Sequence, residues 1–242
     1  MTGKNWPRLM TMLLVTFSLS ALNCPAQEEG NGNVVKEERK VSNFNAVTVS
    51  SGINLQIGQG STEKVVVEAE ENLLPYIKTD VSGEVLRIGI KSSFGNFHSH
   101  KRINVYVTAK ELKALEASSG SRLKTENKIK ADNLKISSSS GSSFNAEIDC
   151  TNLDASSSSG SSGVIYGSAK SIEAESSSGS SLVAVELQAE KGKVSASSGS
   201  SVSVKVTGEV RAHASSGARI TVSGNPSVRD TDSSSGGSIR FK

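Results

Sequence analysis

The sequence predicts an all-β protein: a parallel β-helix of rungs about 19 residues long, with a β-rich cap at its N-terminal end. Three observations predict it. First, the tripeptide Ser-Ser-Gly recurs with its glycine at Gly120, Gly141, Gly160, Gly179, Gly199, Gly217 and Gly236, at spacings of 21, 19, 19, 20, 18 and 19 residues. A disordered Gly/Ser spacer has no reason to keep such a period. Second, the flanks alternate in register with that glycine. Three residues after it stand residues such as Leu123, Phe144, Leu182, Val202 and Ile220; five after it stand Ile165, Ala184, Val204 and Val222; five before it stand Leu115, Ile136, Ala174 and Val194. Residues two apart share one face of a strand, so each unit reads as strand, Ser-Ser-Gly corner, strand and turn. Third, aromatic residues are only 4% of the chain, and no proline occurs between Tyr76 and Asn225, as a narrow interior and paired inner strands require. One such unit cannot bury its own apolar face; stacked copies can.

Taken in chain order, residues 1–26 read as a signal peptide. Lys4 and Arg8 form a basic start, Leu9–Leu22 is mostly apolar, and no acidic residue precedes Glu28. The apolar run is too short to span a bilayer comfortably. Two processing readings stay open: cleavage after Ala26, or lipidation of Cys24 as the first residue of a lipoprotein, although Asn23 is a poor neighbour for that reaction. Removing the leader takes two cations and leaves basic and acidic side chains nearly in balance, which argues against a nucleic-acid binder. Membrane attachment is expected only if Cys24 is lipidated. If it is lost or acylated, Cys150 has no disulfide partner.

The polar segment 27–40 reads as a flexible linker. Residues 41–110 read as the β-rich cap. Within it, Ser50-Ser51-Gly52 fits the same columns through Val47, Leu55 and Ile57, so it reads as a first unit, with GINLQIGQG forming a hairpin. KVVVEAE (64–70), EVLRIGIK (84–91) and RINVYVTA (102–109) read as strands, Ser82-Gly83 as a turn, and ENLLPYI (71–77) as a short helical turn ended by Pro75. Residues 111–242 are the rungs. In the corners, glycine at Gly52 and its seven later counterparts permits positive φ. Stacked serines would lie about 4.8 Å apart and could hydrogen-bond from rung to rung. The sharper alternative is that the serine columns face outward and bind something flat and repetitive, such as a glycan or ice.

The segment SSGINLQIGQG at 50–60, the strands after it and the later Ser-Ser-Gly rungs together resemble the bacterial head GIN domain family, whose name matches Gly52-Ile53-Asn54. The resemblance covers roughly residues 41–242. It implies a secreted or envelope-bound, right-handed β-helix of adhesin-like character. No stretch after the rungs reads as an autotransporter barrel, so self-translocation is not expected.

The sequence holds no converging catalytic constellation. His98 and His100 would share a strand face, but zinc needs a third ligand and His213 is the one remaining histidine. The serines lack a nucleophile elbow. Asp132, Asp149, Asp154, Asp230 and Asp232 are expected mostly in turns between rungs, and Cys150 in a turn as a half-buried thiol. Lys91, Lys101 and Arg102 flank the FGNFHSH loop, which reads as a solvated loop, with contact to an anionic glycan or lipid headgroup as the alternative. The expectation is therefore an exported, non-enzymatic envelope module. It would need no cofactor or metal and would act in adhesion, with a glycan or matrix component as partner. Its rivals are a carbohydrate-active enzyme on the same scaffold and a structural spacer of the periplasm.

Overall fold

The computed structural model describes residues 28–91 and 97–242. The leader at 1–26, with Cys24, lies outside the described residues. The strands are β1 (Glu28–Glu29), β2 (Val34–Arg39), β3 (Ala46–Val49), β4 (Asn54–Gln59), β5 (Lys64–Glu70), β6 (Ile77–Ser82), β7 (Val85–Ile90), β8 (Phe97–His98) and β9 (Asn104–Ala109). They continue with β10 (Ala114–Ala117), β11 (Arg122–Thr125), β12 (Ile129–Ser138), β13 (Ser143–Ser157), β14 (Ser162–Ser176), β15 (Ser181–Ala196), β16 (Ser201–Ala214), β17 (Arg219–Ser223), β18 (Val228–Ser233) and β19 (Ser238–Phe241). The result is a β-solenoid of about 7 turns spaced about 19 residues apart, as the repeat predicts.

Each Ser-Ser-Gly corner joins a leading leg to a trailing leg. Trailing legs stack in parallel in the order β9, β4, β11, β13, β14, β15, β16, β17, β19; leading legs stack as β7, β3, β10, β12, then the C-terminal parts of β13 to β16, then β18. The predicted inner columns are buried: Leu123, Phe144, Leu182, Val202 and Ile220 are at most 2% exposed. Burying a side chain of this size contributes about 1.5–3 kcal/mol. Where a rung carries Gly163, a Cβ would overlap the Phe144 ring below, so a large residue and a missing one fill one layer together.

The stack is not in chain order at its start. The rung formed by β3 and β4 lies between β7/β9 on one side and β10/β11 on the other. β5 pairs antiparallel with β9, and β6 with β7, closing that end. Several expectations are corrected here. β4 and β5 are not a hairpin: they share no ladder, and β9 pairs with both. Segment 27–40 is not simply a flexible linker, because β2 pairs antiparallel with β5 from Val34↔Glu70 to Arg39↔Val65. Its side chains are mostly exposed, so backbone pairing along the edge of β5 holds it rather than an apolar face. Pro75 lies inside the 3₁₀ turn Glu71–Tyr76 instead of ending it. In the last rung, Thr231 is exposed and Ile239 and Phe241 are only partly buried, because that rung has a neighbour on one side.

Candidate functional site

The corners come first, since they carry the repeated residues. In all eight, the second serine has φ between 47° and 64° and the glycine has φ between 69° and 77°. Positive φ at both central residues is the type I′ pattern, which suits a tight reversal of a twisted strand. Ser121 N–H closes the second of these turns onto the Ser118 carbonyl at 3.1 Å, and the same bond recurs along the stack. The glycine N–H of each corner, from Gly52 through Gly217, donates to the serine carbonyl of the next corner at 2.9–3.1 Å.

In the five corners where a serine follows the glycine, that serine points inward. Ser121, Ser142, Ser161, Ser180 and Ser200 are at most 3% exposed. Each hydroxyl oxygen accepts an N–H of its own corner at 2.9–3.1 Å and lies 2.7–3.0 Å from a carbonyl oxygen of the preceding rung. This column satisfies backbone groups that a narrow interior would otherwise leave unpaired. It is the structural reading of the serines. The outward-binding alternative does not apply to this column, although Ser119, Ser140 and Ser159 of the neighbouring positions are exposed.

A groove of about 1310 Å³ runs along the leading legs; Lys130, Asp149, Asp154, Glu173, Lys193 and Arg211 are among its lining. The aspartates are thus corrected: Asp132 lies on β12, Asp149 and Asp154 on β13, Asp230 and Asp232 on β18. Lys135, Asp154, Glu173, Lys193, Arg211 and Asp230 form one outward column in adjacent rungs. Within it, Lys135 pairs with Asp154 at 3.2 Å, Lys193 with Glu173 at 2.5 Å and Arg211 with Asp230 at 3.7 Å. The Glu173 hydrogen bond raises the pKa of Lys193 above its ordinary 10.5. Beside that column, Asn152 donates to Asn133 at 2.9 Å and Ser171 to Asn152 at 2.7 Å. These polar groups satisfy each other rung by rung.

Cys150 is on β13, not in a turn. It is 9% exposed, and burial, with Asp149 beside it, pushes its thiol up to about 11. At ordinary pH it is a neutral lining group. His213 pairs with Asp232 at 2.9 Å near the C-terminal rung, whereas His100 donates its backbone N–H to Glu70 in the cap, so the structure does not bring the histidines together. The side chain of His98, and residues 92–96 of the loop, lie outside what is described. Lys91 donates to the Pro75 carbonyl at 2.6 Å, and the Lys101 backbone N–H approaches Glu70 at 3.4 Å.

Glu70 is the feature the sequence reading missed. Its side chain is fully buried, and it accepts from the Ser99 hydroxyl at 2.6 Å and from the backbone N–H groups of Gly32, His100 and Lys101. The Ser99 bond, then burial acting in the opposite sense, then the backbone donors leave its pKa below the ordinary 4.5. No local signal marks it, because its partners lie about 30 and 38 residues away.

A model of the family described as "Putative auto-transporter adhesin, head GIN domain" matches residues 43–226. Among solved structures, a "putative adhesin" from Bacteroides fragilis superposes with a TM-score of 0.84 at 18% identity, covering 89% of this chain and 100% of that one. A "putative lipid binding protein" from Parabacteroides distasonis gives 0.72 at 20% identity over 90% and 100% of the two chains. A "putative adhesin" from Parabacteroides merdae gives 0.70 at 20% over 89% and 99%. These likenesses establish a shared fold. No curated protein matches significantly.

Proposed function

We infer, from the premise that this chain belongs to the head GIN domain family, that it is an exported, non-enzymatic module of the bacterial envelope. It would act in adhesion through its long exposed faces. The observation that carries the reading is the pairing in the groove. Lys135–Asp154, Lys193–Glu173 and the Asn133–Asn152–Ser171 series quench one another, leaving a rigid surface rather than an activated acid, base or nucleophile. The basic, apolar leader at 1–26 supports export. Adhesin neighbours in two genera agree with the reading, and the lipid-binding name of a third neighbour offers a second ligand class.

Protease shaving of intact cells, read with an antibody to residues 27–242 alongside membrane fractionation, tests it. Loss of signal from intact cells supports adhesion. Protection until the outer membrane is permeabilised overturns it in favour of a periplasmic spacer. The groove also favours one rival, because it gathers Asp149, Asp154 and Glu173 on one sheet. Release of reducing ends from a polysaccharide by purified residues 27–242, lost in Asp154→Asn, would make the protein an enzyme.

A further inference from the structure

We propose that the outward face of the trailing legs, away from the groove, holds an anionic polysaccharide chain laid along the solenoid axis. This rests on the adhesion reading and adds its ligand class. The register builds the face in two rows. One runs Arg122, Ser143, Ser162, Ser181, Ser201, Arg219, and the next begins Lys124, Asn145, Val164, Val183. The second row continues through Ser203 and Thr221 to Arg240 in the last rung. The face is therefore basic at both ends and apolar in the middle. Six rung spacings separate its ends, about 29 Å.

Two properties mark this face. Arg122, Lys124, Arg219 and Arg240 join no ion pair among the described residues, so their charge is left for a ligand. At its centre Val164 and Val185 are 41% and 42% exposed beside the half-buried Tyr166. The register of β14 and β15 shifts between Val164 and Tyr166, and the bulge turns Val185 outward. Unpaired cations at both ends can donate charge-assisted hydrogen bonds to carboxylate or sulfate. The serine, asparagine and threonine rows between them match sugar hydroxyls, and the exposed valines present an apolar seat for a sugar face. A bilayer fits less well: two valines are a small apolar anchor, and the hydroxyl rows would lose water without gaining partners. Glu147 and Glu186 flank Tyr166 in a third row, which confines a polyanion to the first two.

Residues 27–242 titrated with heparin and with polygalacturonate test the proposal, with neutral dextran and anionic-lipid vesicles as comparators. The expected result is binding to one of the polyanions that weakens as salt rises, does not extend to dextran, and falls at least about tenfold in Arg122→Glu/Arg219→Glu. Lys170→Glu, an exposed change outside the two rows, should leave it unaltered, and Val185→Ser should weaken it; circular dichroism checks that each variant is folded. No binding to either polyanion overturns the proposal. So does equal loss in Lys170→Glu, or binding to vesicles in place of the polysaccharides. Protease shaving reads surface location independently, so either idea can fail while the other stands.

Discussion

Ser180 sits where two backbone demands meet. Its hydroxyl oxygen accepts the Ser177 N–H at 3.1 Å and lies 2.7 Å from the carbonyls of Ser157 and Ser177. Ser180→Ala should therefore cost about 1–3 kcal/mol, the usual penalty for stranding buried polar groups, in a urea titration. Ser178→Ala, exposed in the same corner, should cost much less. Glu70 is a second single-residue case, with its sign set by a lowered pKa. Its contribution is present above the ordinary 4.5 and is lost as pH falls through the lower folded value. Protection of the Gly32 and His100 amides, relative to their intrinsic exchange at each pH, should fall below pH 4.5 before that of the central rungs; unchanged protection there would remove Glu70 as the clasp. The glycine half of each corner was legible, because glycine tolerates positive φ. The adjoining serine at similar φ was not, because serine carries no such preference.

Strands were legible where burial alternates along them. Val204 illustrates this: it is 1% exposed, with Ala184 and Val222 above and below it in the column. Val204→Asp should lose several kcal/mol and lower the Tm sharply, as an unpaired charge enters an apolar interior. Strands held by their edges were not legible. β2 reads as a polar tether because its information lies in the free edge of β5, and β9 comes between β4 and β5, which are neighbours in sequence. The aspartates were misplaced for a related reason: β13 to β16 continue through the bend between rungs, where a turn was expected. Glycines inside these strands differ from those in corners. At Gly160 a Cβ meets open space at φ +69°, so Gly160→Ala should cost about 1–2 kcal/mol, the left-handed penalty alone. At Gly167 it would overlap the Ile148 carbonyl oxygen, so Gly167→Ala should be the more damaging change in a thermal melt.

At the scale of the molecule, stability is a sum of rungs and their interfaces. Excising residues 162–180, together with Leu182→Gly to keep the gap that Phe144 fills, joins Ser161 to Ser181 and removes one 19-residue period while keeping the columns in register. The shortened chain should fold, with a smaller urea m-value and a solenoid shorter by about 4.8 Å in scattering. Removal of half a rung should not fold, because it sets apolar columns against polar ones. The cap answers to a different logic. Its rung of β3 and β4 is completed on one side by β10 and β11, which are made later in the chain, so the N-terminal end closes only after the rungs begin. The identical corners carry a consequence for inheritance. A coding sequence that repeats the same serine-rich stretch invites unequal exchange between its copies. Each such event would add or delete one whole rung and leave both ends as they were. The length of the solenoid thereby becomes a trait that varies in single, in-register steps.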